Sequence, residues 1–325
     1  MSRHNQKISF KRVPIEVTRL GLGTAPLGGM FTSVAESDSD ALIATAFDLG
    51  INYFDTAPLY GYGRSEVRLG RALRALKKDF VISTKVGRVL NDTKDSDREF
   101  FKDADPTKES VYDWSADGIK RSINESLERL GLDHIDIVLL HDCEDYLEQT
   151  LREAYPVLDS YRSQGIIKAV GMGLNLCAPS VAIMKDTDLD CALIAGRYTL
   201  LDQEAQHELF PLALKKNVSM IIGGVFNSGV LANPVPGAMY NYAPVSDELL
   251  KKAQAIKKLL DSRNVSLTAA ALQFPLRHPA VTTVLTGSRN STELRANVAD
   301  FDLEIPGDIW KELEDSGLVE PLSLG

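Results

Sequence analysis

Short apolar runs rich in β-branched residues alternate along this chain with longer amphipathic stretches. That alternation predicts a repeated strand–helix unit. The runs at residues 20–23, 53–54, 80–84, 135–140, 169–172, 192–194, 220–222 and 283–285 are mostly apolar without a break. Strands covered on both faces read this way, whereas a strand with one wet face alternates. Residues 40–49 carry Ala41, Ile43, Ala44, Ala46 and Phe47 at helical spacing and stop at Gly50. Residues 115–130 open on a Ser-Ala-Asp capping signal and stop at Gly131, a residue free to take the left-handed conformation that ends helices. Residues 147–163 predict another helix ahead of Gly165. Residues 247–260 predict a helix outside the alternation, before a further segment at 266–274.

Eight strands with helices between them predict an α/β fold, a closed (β/α)8 TIM barrel forming a single domain over residues 1–325. Barrels of this kind run to that length as one unit. The competing architecture, an open doubly wound sheet, calls for a Gly-x-Gly-x-x-Gly turn that opens a helix. The nearest match, Gly21-Leu-Gly-Thr-Ala-Pro-Leu-Gly28, has the wrong spacing and carries Pro26. Two connections are long. Residues 86–114 follow the third strand and are acidic, with Asp92, Asp95, Asp97, Glu99, Asp103 and Asp105. Residues 225–246 follow the seventh strand and hold Pro234, Pro236, Gly237 and Pro244. In a barrel both lie on the C-terminal face, where long loops act as lids.

Composition narrows the function classes. The 44% hydrophobic content is ordinary for a globular chain of this length. No apolar run approaches the ~20 residues that span a bilayer, and Met1-Ser-Arg-His-Asn-Gln-Lys is not followed by the apolar core of a signal peptide. A cytoplasmic protein that binds neither membrane nor nucleic acid is expected, since the net charge of −9 runs against a nucleic-acid footprint. Cys143, Cys177 and Cys191 lack paired short spacing and read as reduced thiols. His134, His207 and His278 are isolated, so no metal site is expected.

Four polar residues stand where apolar runs end: Asp55, Tyr60, Lys85 and His141. Taken singly, each reads more readily as a satisfied polar residue of the core. Together, at the strand ends where barrels place their chemistry, they read as a proton-transfer site. Free tyrosine titrates near ~10, too high for efficient acid–base work at neutral pH. A neighbouring ammonium lowers that value, so Lys85 is expected to draw Tyr60 down. Asp55 would orient Lys85, and His141 would hydrogen-bond the substrate oxygen. Cys143 stands two residues past His141, at the expected border of the pocket. Tyr112 and Trp114, at the end of the acidic segment, could stack on a substrate ring or pack beneath the loop.

These motifs carry a resemblance. Gly50-Ile-Asn-Tyr-Phe-Asp55-Thr-Ala-Pro-Leu-Tyr60-Gly, the strand ending at Lys85, Leu-Leu-His141 and the segment Gly287-Ser288-Arg-Asn…Asn297 resemble the aldo-keto reductase family from about Leu20 to Asn297. The segment Ala195-Gly-Arg-Tyr-Thr-Leu-Leu-Asp-Gln203 resembles its bacterial branch of D-threo-aldose (L-fucose) and pyridoxal dehydrogenases. The resemblance implies a nicotinamide nucleotide bound without a Rossmann fold, with Tyr60 as acid/base supported by Asp55, Lys85 and His141. The implied cofactor contacts are Gly23, Thr24, Asn175, Gly223, Phe226, Gly287, Ser288, Arg289, Glu293 and Asn297.

The chain departs from the family pattern at three places. Gly173 stands near a usual serine, Ala195 replaces a usual glutamine, and the Gly223-Gly224 pair replaces a stacking aromatic, with Phe226 a partial substitute. Gly287 and Glu293 also stand where NADP-dependent members carry a lysine and an arginine. A 2′-phosphate needs cationic partners. NAD is therefore the expected cofactor, with NADP the alternative through Arg289. The expected reaction is oxidation of a cyclic hemiacetal or alcohol, an L-fucose-type sugar or pyridoxal, to a lactone. The alternatives are an NADPH-dependent carbonyl reductase and, in a different class, a nicotinamide-sensing regulatory subunit.

Overall fold

Eight parallel strands close on one another in the order of the sequence. In a computed structural model the described residues are 2–98 and 100–324. Met1, Gly325 and Glu99 of the acidic connection lie outside them. The strands are β1 (Leu20–Gly23), β2 (Tyr53–Asp55), β3 (Val81–Val86), β4 (Ile135–His141), β5 (Ile167–Leu174), β6 (Cys191–Ala195), β7 (Ser219–Gly223) and β8 (Val281–Gly287). β8 returns to β1, with Val284 opposite Leu20 and Gly287 opposite Gly23. All eight expected runs are strands. β3 and β4 run further than the apolar pattern implied, so Lys85 pairs with Leu139 and His141 with Gly173 inside the ladder. Pairing uses backbone groups, and a polar side chain aimed into a cavity does not interrupt it.

Helices α1 (Glu36–Asp48), α2 (Arg64–Leu76), α3 (Ala116–Leu130), α4 (Tyr155–Ser163), α5 (Cys177–Asp186) and α6 (Leu209–Lys216) follow the first six strands. α7 (Asp247–Ser262) is the expected additional helix, α8 (Leu267–Gln273) leads into β8, and α9 (Ser291–Asp302) and α10 (Gly307–Asp315) follow it. The capping signal of α3 works as read: the Ser115 hydroxyl accepts from the Gly118 N–H, and Gly131 takes φ 61°. The expected helix over 147–163 is not uniform. A short turn at Leu147–Gln149 and a π-helical stretch at Thr150–Ala154 precede α4.

Three hairpins were not foreseen. A hairpin of Lys7–Ser9 and Glu16–Thr18 precedes β1 and brings Phe10, Ile15 and Val17 against the barrel interior beside Tyr53, Ile137 and Leu139. It closes the end of the barrel away from the strand C-termini. The acidic connection, expected as a loop, contains an antiparallel hairpin of Arg88–Asp92 with Lys108–Tyr112. Similarly, residues 225–246 pair Met239–Tyr240 with Ala243–Pro244.

α2 and α3 approach so closely that a Cβ on Gly70 would lie 2.0 Å from the Leu130 carbonyl oxygen. Helix propensity alone predicts that Gly70→Ala stabilises by about 1 kcal/mol. Backbone overlap is the larger effect. The substitution should destabilise by roughly 2–3 kcal/mol. Urea unfolding checks the sign, and a stabilised variant would refute the close approach.

Candidate active site

The C-terminal ends of the strands surround a cavity of about 670 Å³. Asp55, Tyr60, Lys85 and His141 all line it. β2 and β3 are paired neighbours, so Asp55 and Lys85 meet: Lys85 Nζ donates to Asp55 Oδ2 at 2.7 Å and to the Thr56 carbonyl at 2.8 Å. The other Asp55 oxygen accepts from Ser83 Oγ at 2.7 Å. Ser83 has one proton and spends it there, so the Tyr53 hydroxyl, 3.0 Å away, donates to Ser83 Oγ. The Lys85 ammonium lies 4.6 Å from the centroid of the Tyr60 ring. The Tyr60 ring meets His141 edge-on at 6.0 Å.

The expected effect of Lys85 on the phenol is not what the structure produces. Burial pushes the Tyr60 pKa well above its ordinary value, and the Asp55 carboxylate adds to the rise. Lys85 sits against the ring face and is already bound by Asp55, which offsets its charge. Tyr60 is therefore a protonated phenol in this state. Burial also drives the His141 pKa down to about 3, with Asp142 opposing and Lys85 and Arg88 assisting. His141 is thus neutral, and its buried Nδ1 has no hydrogen-bond partner among the described residues.

Around His141 the structure adds residues the sequence did not single out. Asp142 takes φ 50° directly after β4. Its carboxylate accepts from Asn175 Nδ2 at 2.9 Å and from the Arg88 guanidinium at 3.3 Å, and lies 3.6 Å from His141 Nε2. Arg88 also donates to the Tyr112 hydroxyl at 2.6 Å and lies over that ring. Arg88 was hidden because the hairpin it opens was expected to be an irregular loop, and Asp142 because only contact distances reveal its partners. Three aromatic residues from three connections roof the cavity. Phe100 and Tyr242 stack at 5.3 Å with 7° between their planes, and Phe31 lies 5.5 Å from Phe100. Phe31 and Tyr242 both hold positive φ, 61° and 63°, which bulky side chains rarely adopt.

The implied cofactor residues are divided. Gly23, Asn175, Gly223, Phe226, Gly287, Ser288, Arg289 and Glu293 line the same cavity as the reacting four. Thr24 and Asn297 are not among the lining residues. Thr24 is buried, its hydroxyl donating to the Asp55 carbonyl at 2.9 Å. Asn297 donates to Thr286 and Ser288 at 3.1 Å each, fixing the end of β8. Arg289 and Glu293 bind each other: the Glu293 carboxylate accepts from the Arg289 backbone N–H at 2.8 Å and from its guanidinium at 2.9 and 2.5 Å. Gly287 is tightly placed, since a Cβ there would lie 3.0 Å from Pro26 Cγ. The Gly223-Gly224 pair lets two loops meet: Gly224 has φ 64°, and its Cβ would lie 3.0 Å from the Gly196 nitrogen. Bare backbone at the ends of β1, β7 and β8 leaves room for a nucleotide beside the Asn175 amide, and Ser288 and Arg289 supply donors at one side. The residues present fit a nicotinamide nucleotide.

Other expectations fall outside the cavity. Cys143 is fully buried and does not line it, and burial pushes its thiol up to about 12, so it is inert. Trp114 is buried, and Tyr112 packs against Tyr146 at 4.8 Å. Among the described residues no group of His, Cys, Asp or Glu could hold a metal ion, and no helix is long and apolar enough to cross a membrane.

Residues 19–317 match the model of the aldo/keto reductase family. Pyridoxal 4-dehydrogenase of Microbacterium luteolum is 39% identical, with 97% of this chain and 98% of that protein covered. D-threo-aldose 1-dehydrogenase of a Pseudomonas species is 38% identical, covering 94% and 95%. An aldo-keto reductase from Bacillus halodurans, solved in its holo form, superposes with a TM-score of 0.78 at 24% identity, over 98% of this chain and 97% of the other.

The neutral His141 makes a prediction about acid stability. Unfolded, its imidazole protonates near about 6.5, while folded it stays neutral to about 3. Its contribution is therefore complete above the unfolded value. It falls by ~1.4 kcal/mol per pH unit as the medium becomes more acid, and is lost below the folded value. From pH 7 to pH 5, wild type should lose about 2 kcal/mol more than His141→Gln in urea unfolding. Equal losses would mean that His141 is not held neutral.

Proposed function

The chain belongs to the aldo/keto reductase family and is an NAD(P)-dependent oxidoreductase, and from that premise we propose that it oxidises a small cyclic hemiacetal to a lactone with NAD as acceptor. The hemiacetal is an aldose of the L-fucose type or pyridoxal. The names of the two relatives support this reading, because pyridoxal closes on itself as a hemiacetal just as an aldose does. The observation that carries it is the Tyr60 phenol held between the Lys85 ammonium and a neutral His141, in one cavity with the glycine-rich ends of β1, β7 and β8.

The chain's own groups act as follows. The hydroxyl at the carbinol carbon lies against Tyr60 and His141. Tyr60, once it has lost its own proton to solvent, takes the hydroxyl proton as phenolate, and His141, having no charge, hydrogen-bonds the same oxygen without competing for that proton. Asp55 holds Lys85 beside the ring, and Ser83 holds Asp55. The bound nicotinamide ring supplies the hydride acceptor and, when oxidised, one positive charge. Because burial holds Tyr60 protonated, oxidation requires alkaline conditions or added positive charge nearby. The same protonated phenol is a ready acid for the reverse direction. Carbonyl reduction at neutral pH is therefore the second reading.

The pairing of Arg289 with Glu293 supports NAD. A 2′-phosphate would have to draw Arg289 off a carboxylate that would then repel it. A lysine at 287, the family's other cation, would have to displace Pro26.

Three measurements bear on this function. The first screens L-fucose, D-arabinose, L-galactose and pyridoxal with NAD and NADP by the absorbance of reduced nucleotide. Turnover of at least one hemiacetal is expected, and turnover of none would refute the proposal. Second, Tyr60→Phe should lower kcat by roughly 10²–10⁴ with nucleotide affinity nearly unchanged. The wild-type oxidation rate should rise through the alkaline range, and near-normal turnover in the variant would remove Tyr60 from the mechanism. Third, Glu293→Gln should raise the NADP-to-NAD ratio of kcat/KM by about 10-fold, less at high salt because the pair is half exposed. A wild type that already prefers NADP would overturn the reading of Arg289.

A further inference from the structure

Among the described residues six charged ones line the cavity, three cations and three carboxylates. Each cation is taken by one carboxylate. Lys85 binds Asp55 at 2.7 Å, Arg88 binds Asp142 at 3.3 Å, and Arg289 binds Glu293 at 2.5 Å. His141 adds no charge. The two pairs at the reacting end are largely buried, with exposures of 1% and 3% for Lys85–Asp55 and of 13% and 19% for Arg88–Asp142. Phe31, Phe100 and Tyr242 roof the same space.

We infer that the reacting end of this cavity is closed in charge and selects uncharged substrates, rejecting the phosphate esters and carboxylates of the same compounds. This rests on the hemiacetal reading above and narrows it. A charged substituent brought under the aromatic roof leaves water and finds no free counter-ion among the described side chains. It must either stay unpaired or pull Arg88 from Asp142, which leaves that carboxylate uncompensated. A neutral sugar or pyridine alcohol meets neither cost. Its hydroxyls need only uncharged donors and acceptors, and Tyr60, His141 and Asn227 line the same cavity. The Arg289–Glu293 pair is more exposed and screened, so the rule is weaker at the nucleotide end.

The balance can be tipped with one atom. Asp142→Asn keeps an oxygen to accept from Asn175 Nδ2 and removes the charge that binds Arg88. The cavity then holds a net positive charge at the reacting end.

The test takes the hexose that the enzyme turns over best and compares it with its 6-uronate and 6-phosphate. Both keep the pyranose hemiacetal and differ in charge at one remote position. Wild-type kcat/KM should fall by roughly 100-fold for each anion relative to the hexose. In Asp142→Asn the anion-to-hexose ratio should rise about 10-fold, a ratio in which general loss of activity cancels. Arg88→Met should give no such rise. Anions used within threefold of the hexose by wild type, or an unchanged ratio in Asp142→Asn, would overturn the inference. Calorimetric binding of the same ligands to the enzyme with reduced nucleotide reads the charge rule apart from turnover. Without turnover of any hemiacetal the functional proposal fails, while the charge rule stands if the hexose still binds at least tenfold tighter than its anions. Equal or tighter binding of the anions, or no binding of the hexose, overturns the rule itself.

Discussion

Lys85 and Asp55 face each other at 2.7 Å with almost nothing of either side chain exposed, and the chemistry of the barrel mouth is arranged around that contact. Burying either charge alone would cost several kcal/mol, and a buried pair holds only if its remaining hydrogen-bonding capacity is met. Here it is met by the Thr56 carbonyl and by a relay from Tyr53 through Ser83. The pair fixes the ammonium under the Tyr60 ring. Because its charge is already offset, it does not make that phenol acidic. The electrostatic state of Tyr60 is left to burial and to what the cavity binds.

The fold was legible because strands buried on both faces leave a near-continuous apolar trace, and most of the eight did so. The trace failed where buriedness and apolarity part company. β3 and β4 carry Lys85 and His141 within their ladders, so their ends read short by composition. The N-terminal hairpin was illegible because its strands are three residues each, and most of its core contribution is made by Phe10, Ile15 and Val17. Asp55, Tyr60, Lys85 and His141 were readable from position and type. Their protonation was not, since the shifts in Tyr60 and His141 come from burial that no spacing encodes. Arg88, Asp142 and the aromatic roof escaped because each takes its meaning from partners far away in sequence.

Close backbone approach sets a second frame. Gly224 against Gly196 and Gly287 against Pro26 hold the loops after β6, β7, β8 and β1 so close that a Cβ on either glycine would meet its neighbour at 3.0 Å. The nucleotide end of the cavity is therefore shaped by main chain, whereas the reacting end is shaped by ion pairs and rings. The two ends will respond differently to substitution. One tolerates little change in volume, and the other little change in charge.

Phe31, Phe100 and Tyr242 come from three separate connections, after β1, β3 and β7, yet the last two stack nearly parallel. Two of the three, Phe31 and Tyr242, sit in left-handed backbone, so those two loops bear a local cost that the ring contacts offset. The loops thereby act as a single packed unit. Exchanging one of them for the corresponding loop of a relative would strand its ring without partners. Divergence of specificity within this branch should have proceeded by concerted replacement of all three connections, not by drift in any one.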